Sequence, residues 1–138
     1  MTAAGDAARA LRDWILAERM SFTTEADLQA AIWDRMLRER AFSPMLVATR
    51  EWILDKRNRV DFLVDMEPGT IARWSTAVAV EVKIAGSLKN VRRQLERYAA
   101  HPEVHEVLLV TTKASHHHIP TELNGKPVVL CTLVEAGL

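Results

Sequence analysis

Two charged side chains two residues apart, Glu81 and Lys83, are the first candidates for chemistry in this sequence. Side chains alternate between the two faces of a strand, so both project from one face of the strand predicted over 76–84. The same face carries Ala77 and Ala79, whose small side chains leave room in front of the charged pair. The spacing therefore predicts a carboxylate and an amine that project side by side, which does not by itself establish a function.

Another candidate acid, Asp61, stands in the middle of an apolar run. Alternation along a strand predicted over 59–65 assigns its neighbours Val60 and Phe62 to the opposite, core-facing side. A carboxylate in such a strand is costly unless it is exposed, paired or bound to a metal. If this strand is adjacent and antiparallel to the strand of Glu81, the two carboxylates lie close together.

These groups together form a set of oxygen donors that suits a hard cation. The carboxylates of Asp61 and Glu81, with the backbone carbonyl of Val82, are expected to bind Mg²⁺, which takes few protein ligands and keeps several waters. Mn²⁺ is expected to substitute for it. Lys83 would lie beside one of those waters, where an ammonium group orients the water and offsets charge that develops on a phosphate. The alternative is a structural cross-strand ion pair between Asp61 and Lys83.

The helices that must position these groups follow from the spacing of apolar residues. A helix is predicted from residue 6 to about residue 20, because apolar side chains recur there at helical intervals. Thr24 suits the N-cap of a second helix, which ends at about Arg40. Glu25 then lies in the first turn, where a carboxylate suits the helix dipole. The third helix, predicted over 88–100, is amphipathic and has a basic outer face.

Five predicted strands complete the pattern. They cover residues 45–54, 59–65, 76–84, 107–110 and 127–134. The short polar gap at 55–58 suits a hairpin, and a longer loop that contains Pro68-Gly69 precedes the third strand. A helix that joins the third strand to the fourth implies a mixed sheet with helices packed against it. The predicted fold class is therefore α/β (mixed α+β).

Asp61, followed by Glu81-Val82-Lys83, resembles the signature of the PD-(D/E)XK nuclease superfamily, although Val60 replaces the proline that names the motif. The core of that superfamily is a mixed four-stranded sheet in the order helix, three strands, helix, strand, and residues 24–111 match this order. The resemblance implies a restriction-endonuclease-like core in a single domain of residues 1–138. The helix within 1–20 and the strand at 127–134 are additions to that core.

Two further features match the superfamily. A helical acid before the sheet often assists metal binding there, and Glu25 occupies that position. Some branches carry a helical Gln-x-x-x-Tyr after the motif strand, and Gln94 and Tyr98 reproduce it. Residues at i and i+4 share a helix face, so Gln94 is expected to reach the site while Tyr98 supports it. The alternatives are a first-turn helix acid for Glu25, an exposed helix residue for Gln94, and packing for Tyr98.

The resemblance implies a Mg²⁺-dependent nuclease that hydrolyses DNA phosphodiester bonds by attack of a metal-activated water, and an endonuclease in particular. The alternatives are a catalytically silent module of this fold that binds nucleic acid or a protein, and the nuclease subunit of a larger DNA-processing complex. Cutting both strands of a duplex needs two active sites, so a homodimer is expected.

The charge distribution is compatible with a nucleic-acid partner despite a formal net charge of zero, from 18 basic and 18 acidic residues. Residues 35–60 carry seven basic and three acidic groups, and residues 83–97 carry five and one. These two basic blocks flank the proposed site in sequence. The candidate DNA-contacting residues are Arg57, Arg59, Lys89, Arg92 and Arg93.

The remaining features point to an intracellular globular protein of 138 residues. One cysteine, Cys131, cannot form an internal disulfide and is expected to be a buried, inert thiol. No apolar run is long enough to span a membrane, so a cytoplasmic location is expected. The tract 116–118, three adjacent histidines, is interpreted as a solvated loop. Four tryptophans are interpreted mainly as core or interface residues, with the last also a candidate for contact with a base: Trp14, Trp33, Trp52 and Trp74.

Overall fold

The computed structural model describes residues 4–39, 46–66 and 76–134. Its helices are α1 (Asp6–Leu16), α2 (Glu25–Glu39) and α3 (Leu88–Ala99), with a short 3₁₀ helix at Ala114–His118. Its strands are β1 (Leu46–Ile53), β2 (Arg59–Met66), β3 (Thr76–Lys83), β4 (Glu106–Thr111), β5 (Glu122–Leu123) and β6 (Lys126–Thr132). The fold is therefore mixed α/β, as the sequence predicted.

One sheet of six strands runs through the molecule in the order β1-β2-β3-β4-β6-β5. The first three strands pair antiparallel, β3, β4 and β6 pair parallel, and β5 pairs antiparallel with β6. Parallel neighbours need a crossover, and α3 provides it between β3 and β4. The central strands β3 and β4 are covered on both faces, which explains their almost continuous burial.

The two faces of the sheet support two separate apolar clusters. Val78, Val80 and Val82 pack on one face beneath α1 and α2. Ala77 and Ala79 pack on the other face beneath α3. This division confirms the predicted alternation along β3, and it assigns Glu81 to the α3 face.

The alternation predicted for β2 is wrong at one position. Phe62 packs with α1 and α2, whereas Val60 packs with α3, so the two neighbours of Asp61 lie on opposite faces of the sheet. The cause is an irregularity shared with β1: the pairing omits Glu51 and Asp61, and Glu51 has a left-handed φ of 54°. Because Trp52 lies directly opposite Val60, it also turns to the α3 face.

The predicted element boundaries agree with the structure to within a few residues, with two exceptions. The first helix ends at Leu16 rather than near residue 20, and the 3₁₀ helix and β5 were not predicted. Four sequence predictions lie outside the described residues: the end of the second helix at Arg40, the start of the first strand at residue 45, the Pro68-Gly69 loop, and Trp74. In the part of the chain that the structure describes, no helix is long and apolar enough to cross a membrane.

The buried side chains include a carboxylate, Glu106, and a thiol, Cys131. The Glu106 carboxylate accepts hydrogen bonds from the backbone N–H groups of Gly5 (3.1 Å) and Ala8 (2.8 Å), and so caps the first turn of α1. Cys131 is fully buried, and burial raises the pKa of its thiol to about 12. The prediction of a buried cysteine is therefore confirmed, and the raised pKa keeps its thiol protonated at neutral pH.

Candidate active site

The site forms where β2 and β3 stop pairing. Their ladder extends as far as Phe62 opposite Val80, and the next positions, Asp61 and Glu81, are not paired through the backbone. Instead, Asp61 Oδ2 accepts the N–H of Val82 at 2.7 Å, and the N–H of Asp61 donates to Glu81 Oε1 at 3.3 Å. The two carboxyl groups thus replace the missing ladder bonds, which brings them together as the sequence predicted.

The backbone of Val82 faces the same opening. In a strand, the N–H and the carbonyl of one residue point to the same side, so the Val82 carbonyl is directed toward β2, as its N–H is. That side is where Asp61 lies. The predicted ligand set of Asp61, Glu81 and this carbonyl therefore shares one opening between the strands.

Burial makes this carboxyl pair hold a proton. Glu81 is 2% exposed, and burial, reinforced by the nearby charge of Asp61, raises the pKa of Glu81 to about 8. Burial also raises the pKa of Asp61, whose carboxyl is hydrogen-bonded to that of Glu81. Two adjacent carboxyl groups cannot both ionise without a large cost, so they share one proton at neutral pH.

Lys83 provides the positive charge at the site. Its Nζ lies 3.6 Å from Glu81 Oε2, and its side chain is 25% exposed. Lys83 therefore forms its ion pair with Glu81. The alternative drawn from the sequence was an ion pair between Lys83 and Asp61. Since Glu81 is buried and Lys83 reaches solvent, the amine lies between the carboxyl pair and the outside.

The predicted pair on α3 meets the site through Tyr98. Its hydroxyl lies 3.2 Å from Glu81 Oε2 and 2.9 Å from the backbone carbonyl of Arg59, and it accepts a hydrogen bond from Gln94 Nε2 at 2.6 Å. Burial, with the charge of Glu81, raises the pKa of Tyr98 far above its usual range. Tyr98 therefore contacts the site directly, whereas Gln94 is linked to Glu81 through Tyr98.

Glu25 approaches from the opposite face of the sheet. Thr24 caps α2, since its Oγ1 accepts the N–H of Asp27 at 3.0 Å, and this fixes Glu25 in the first turn. The Glu25 carboxylate accepts the N–H of Ile84 and interacts electrostatically with Lys83 and Asp61, and burial raises its pKa. Its Oε1 is buried and has no hydrogen-bond partner among the described residues. Such an orphaned acceptor is a position where a cation or a water fits.

The side chains at the site supply oxygen atoms, which are the ligands that a hard cation prefers. Asp61, Glu81 and Glu25 supply carboxylate oxygens, and the unpartnered Oε1 of Glu25 is an acceptor that a cation would satisfy. In the described residues, however, no three His, Cys, Asp or Glu side chains are arranged to hold a metal ion. Because burial raises the pKa values of Asp61 and Glu81, binding a cation between them requires the pair to release a proton.

Comparison of the chain with known proteins adds no family to this description. Neither protein-family models, nor curated proteins, nor solved structures give a match. The residues that converge between β2 and β3 are therefore the basis for assigning a function.

The histidine tract is not the solvated loop that the sequence suggested. His116 is fully buried in the 3₁₀ helix, although His117 and His118 are exposed. Its Nε2 donates to the carbonyl of Gly86 at 2.9 Å, and its Nδ1 lies 2.7 Å from Thr111 Oγ1. The same carbonyl accepts a hydrogen bond from Lys113 Nζ at 2.8 Å. These bonds fix the turn between β3 and α3, where Gly86 has a φ of 92° that favours glycine.

Glu51, which lies next to the site, was not identified from the sequence. It lies at the unpaired position of β1 opposite Asp61, and its charge contributes to the raised pKa of Asp61. Its φ of 54° is rare for a residue other than glycine, and such backbone strain is concentrated at functional sites. Nothing in the residue type predicts this conformation, so the sequence carried no signal for it.

The predicted DNA-contacting residues lie on two elements around the opening. Arg57 and Arg59 belong to the β1–β2 hairpin, and both side chains are exposed. Lys89, Arg92 and Arg93 are exposed on the outer face of α3, where Arg92 pairs with Glu96 at 3.0 Å. Arg59 is next to the site, because its carbonyl contacts Tyr98.

Proposed function

We propose that this chain is a metal-dependent endonuclease of the restriction-endonuclease-like fold that hydrolyses DNA phosphodiester bonds. The observation that carries the proposal is the convergence of Asp61 and Glu81 where β2 separates from β3, with Lys83 Nζ 3.6 Å from Glu81. The element order from α2 to β4, helix, three strands, helix, strand, supports the fold assignment. Buried carboxyl groups with raised pKa values are typical of functional sites.

The proposed cation is Mg²⁺, with Mn²⁺ as a substitute. Asp61, Glu81 and the Val82 carbonyl would hold it, and Glu25 would add an oxygen directly or through water. When bound, Mg²⁺ supplies a Lewis acid that lowers the pKa of a water and neutralises charge on the phosphate.

The side chains around this cluster have separate roles in hydrolysis. Lys83 orients the attacking water and offsets the negative charge that develops on the phosphate during in-line displacement. Tyr98 holds the Glu81 carboxyl in place, and Gln94 fixes the Tyr98 hydroxyl while its own carboxamide orients the water or the phosphate. No covalent intermediate with the protein is required.

Substrate binding is assigned to the exposed cations of the hairpin and of α3. Arg57, Arg59, Lys89 and Arg93 contact phosphates on either side of the opening, with a contribution from Arg92. Because the net charge is zero, few phosphates are contacted and the salt dependence of binding is small. A homodimer, or a larger DNA-processing complex, would supply the second active site needed to cut both strands.

The test is a cleavage assay on linear, circular, branched and single-stranded DNA, with Mg²⁺, with Mn²⁺ and with EDTA. Lys83→Ala and Glu81→Gln are expected to abolish metal-dependent cleavage, and Glu122→Gln, at an exposed position on β5, is the matched control. Retained cleavage by both site variants would overturn the assignment. Binding without cleavage on every substrate would favour a catalytically silent module.

A further inference from the structure

The end of the β1–β2 hairpin exposes apolar side chains next to the site. Residues 50–60, named here the hairpin arm, include Trp52, which is 36% exposed, and Ile53, which is 67% exposed. Trp52 does not belong to either apolar cluster. A large aromatic ring that is partly exposed outside the core is a candidate for contact with a ligand.

The hairpin arm is also rich in unpaired positive charge. The cationic side chains of the arm make no ion pair with any residue that the structure describes. They are Arg50, Lys56, Arg57 and Arg59. The acid at the turn is already occupied: Asp55 accepts hydrogen bonds from Arg57 N and Asn58, and its other contact is His101 Nε2 at 2.7 Å. With four cations against two acids, Glu51 and Asp55, the arm combines an aromatic face with a net positive charge, which complements a polyanion that carries aromatic bases.

Backbone pairing positions Trp52 close to the carboxyl pair. It lies directly opposite Val60, the residue before Asp61, and on the same face as Glu81. Neighbouring strands are about 4.8 Å apart, so β1 lies about 10 Å from β3, with only β2 between them. Trp52 is therefore within reach of a nucleic-acid chain that has one phosphate at the site.

We infer that the hairpin arm binds unpaired nucleotides beside the reacting phosphate, with Trp52 stacked on a base and the arm cations on the adjacent phosphates. This inference depends on the proposed function for its choice of nucleic acid as the ligand. Stacking on a side chain requires a base whose face is open, and bases within a duplex are stacked on both faces. The substrate class is therefore single-stranded DNA, or the unpaired part of a branch or flap.

A second copy of the chain fits the hairpin arm less well. Strand-to-strand pairing across β1 needs regular extended backbone, and Glu51 interrupts it with a φ of 54°. A two-fold axis near the middle of β1 would also bring Arg50 of one copy close to Arg50 of the other, where like charges repel. The charge of the arm therefore favours a polyanion over self-association.

The test measures binding of labelled oligonucleotides by fluorescence anisotropy in EDTA, where no cleavage interferes. The probes are a mixed-sequence single strand, the same strand with abasic sites, and a blunt duplex. Trp52→Ala is expected to weaken binding to the single strand about tenfold and to leave duplex binding nearly unchanged, because one stacking contact is lost. Trp52→Phe is expected to retain most of the affinity, and the abasic strand is expected to bind the normal protein as weakly as the intact strand binds Trp52→Ala.

Ile53→Ala is the matched control, because it removes an exposed apolar side chain from the same strand without removing a ring. Equal affinity of the normal protein and Trp52→Ala for the single strand would overturn the inference. A change from dimer to monomer in sedimentation, with unchanged oligonucleotide binding, would assign Trp52 to self-association and also overturn it. Cleavage with Mg²⁺ is measured separately. If Trp52→Ala has no effect on single-strand binding and the protein cleaves DNA, only the proposed role of the hairpin arm is contradicted. If Trp52→Ala weakens single-strand binding and the protein does not cleave DNA, only the proposed nuclease activity is contradicted.

Discussion

Replacement of Glu81 by glutamine tests the electrostatics of the buried carboxyl pair while preserving its shape. In the metal-free protein the pair shares a proton, and an amide at position 81 can donate to Asp61 as that proton does. Glu81→Gln removes the option of ionising at a position that is 2% exposed. We expect the substitution to stabilise the metal-free fold although it abolishes the proposed activity.

The magnitude follows from the pKa of Glu81, which is about 8 in the folded chain against a usual value of 4.5. A carboxyl whose pKa is raised by folding contributes its full stability below its unfolded pKa and loses it as the pH rises toward the folded one. Each pH unit above the unfolded pKa of Glu81 lowers the free energy of unfolding by about 1.4 kcal/mol. The loss of stability is therefore about 1 kcal/mol at pH 5 and about 3 kcal/mol at pH 7. Glutamine has no such loss, so the advantage of Glu81→Gln grows with pH over this range.

The assay is urea denaturation in EDTA, followed by tryptophan fluorescence at pH 5, 6, 7 and 8. The free energy of unfolding of Glu81→Gln minus that of the normal protein is expected to rise from about 1 kcal/mol at pH 5 to about 4 kcal/mol at pH 8. Glu122→Gln is the control and is expected to give a difference near zero at every pH, since Glu122 is exposed. A difference that is constant with pH, or that falls as pH rises, would refute the shared-proton description.

Three further substitutions test other contacts. Tyr98→Phe removes the hydroxyl that contacts Glu81, and is expected to lower kcat about tenfold with little change in KM, because a displaced carboxyl affects the reaction more than binding; an unchanged kcat would contradict a role for this hydroxyl. His116→Ala leaves a cavity and removes two hydrogen bonds, and should lower the free energy of unfolding by about 3 kcal/mol in urea titrations; a solvated histidine would give almost no loss. Glu106→Ala leaves two amides of α1 without an acceptor and is expected to cost about 2 kcal/mol, with faster amide exchange confined to that helix.

The sequence predicted well those features that depend on local periodicity. The alternation along β3 separates the valines from the alanines because each face of a strand meets a different layer, and the structure has that division. The i and i+4 spacing in α3 likewise brings Gln94 and Tyr98 into contact at 2.6 Å. The encounter of Asp61 with Glu81 followed from antiparallel pairing of adjacent strands.

Features that depend on distant contacts could not be predicted in the same way. Glu51 adopts a left-handed φ without being glycine, so its residue type gave no sign of the change of face at Val60. His116 is buried because the turn at Gly86 lies beside it, although 30 residues separate them in sequence. The polarity of the histidine tract favoured exposure to solvent. The hydrogen bond between His116 and the Gly86 carbonyl outweighs that preference.

The capping of α1 by Glu106 has a consequence for the order in which the chain assembles during synthesis. The carboxylate that accepts from Ala8 lies 98 residues further along the chain, and α1 packs against β4 and β6. At about 5–20 residues per second, the ribosome takes on the order of 5–20 s to supply these partners after the helix has emerged. The β1–β2–β3 meander, whose strands are neighbours in sequence, can pair in that interval. Helix α1 is thus expected to dock after the meander has formed, and its apolar stripe needs protection in the nascent chain until then.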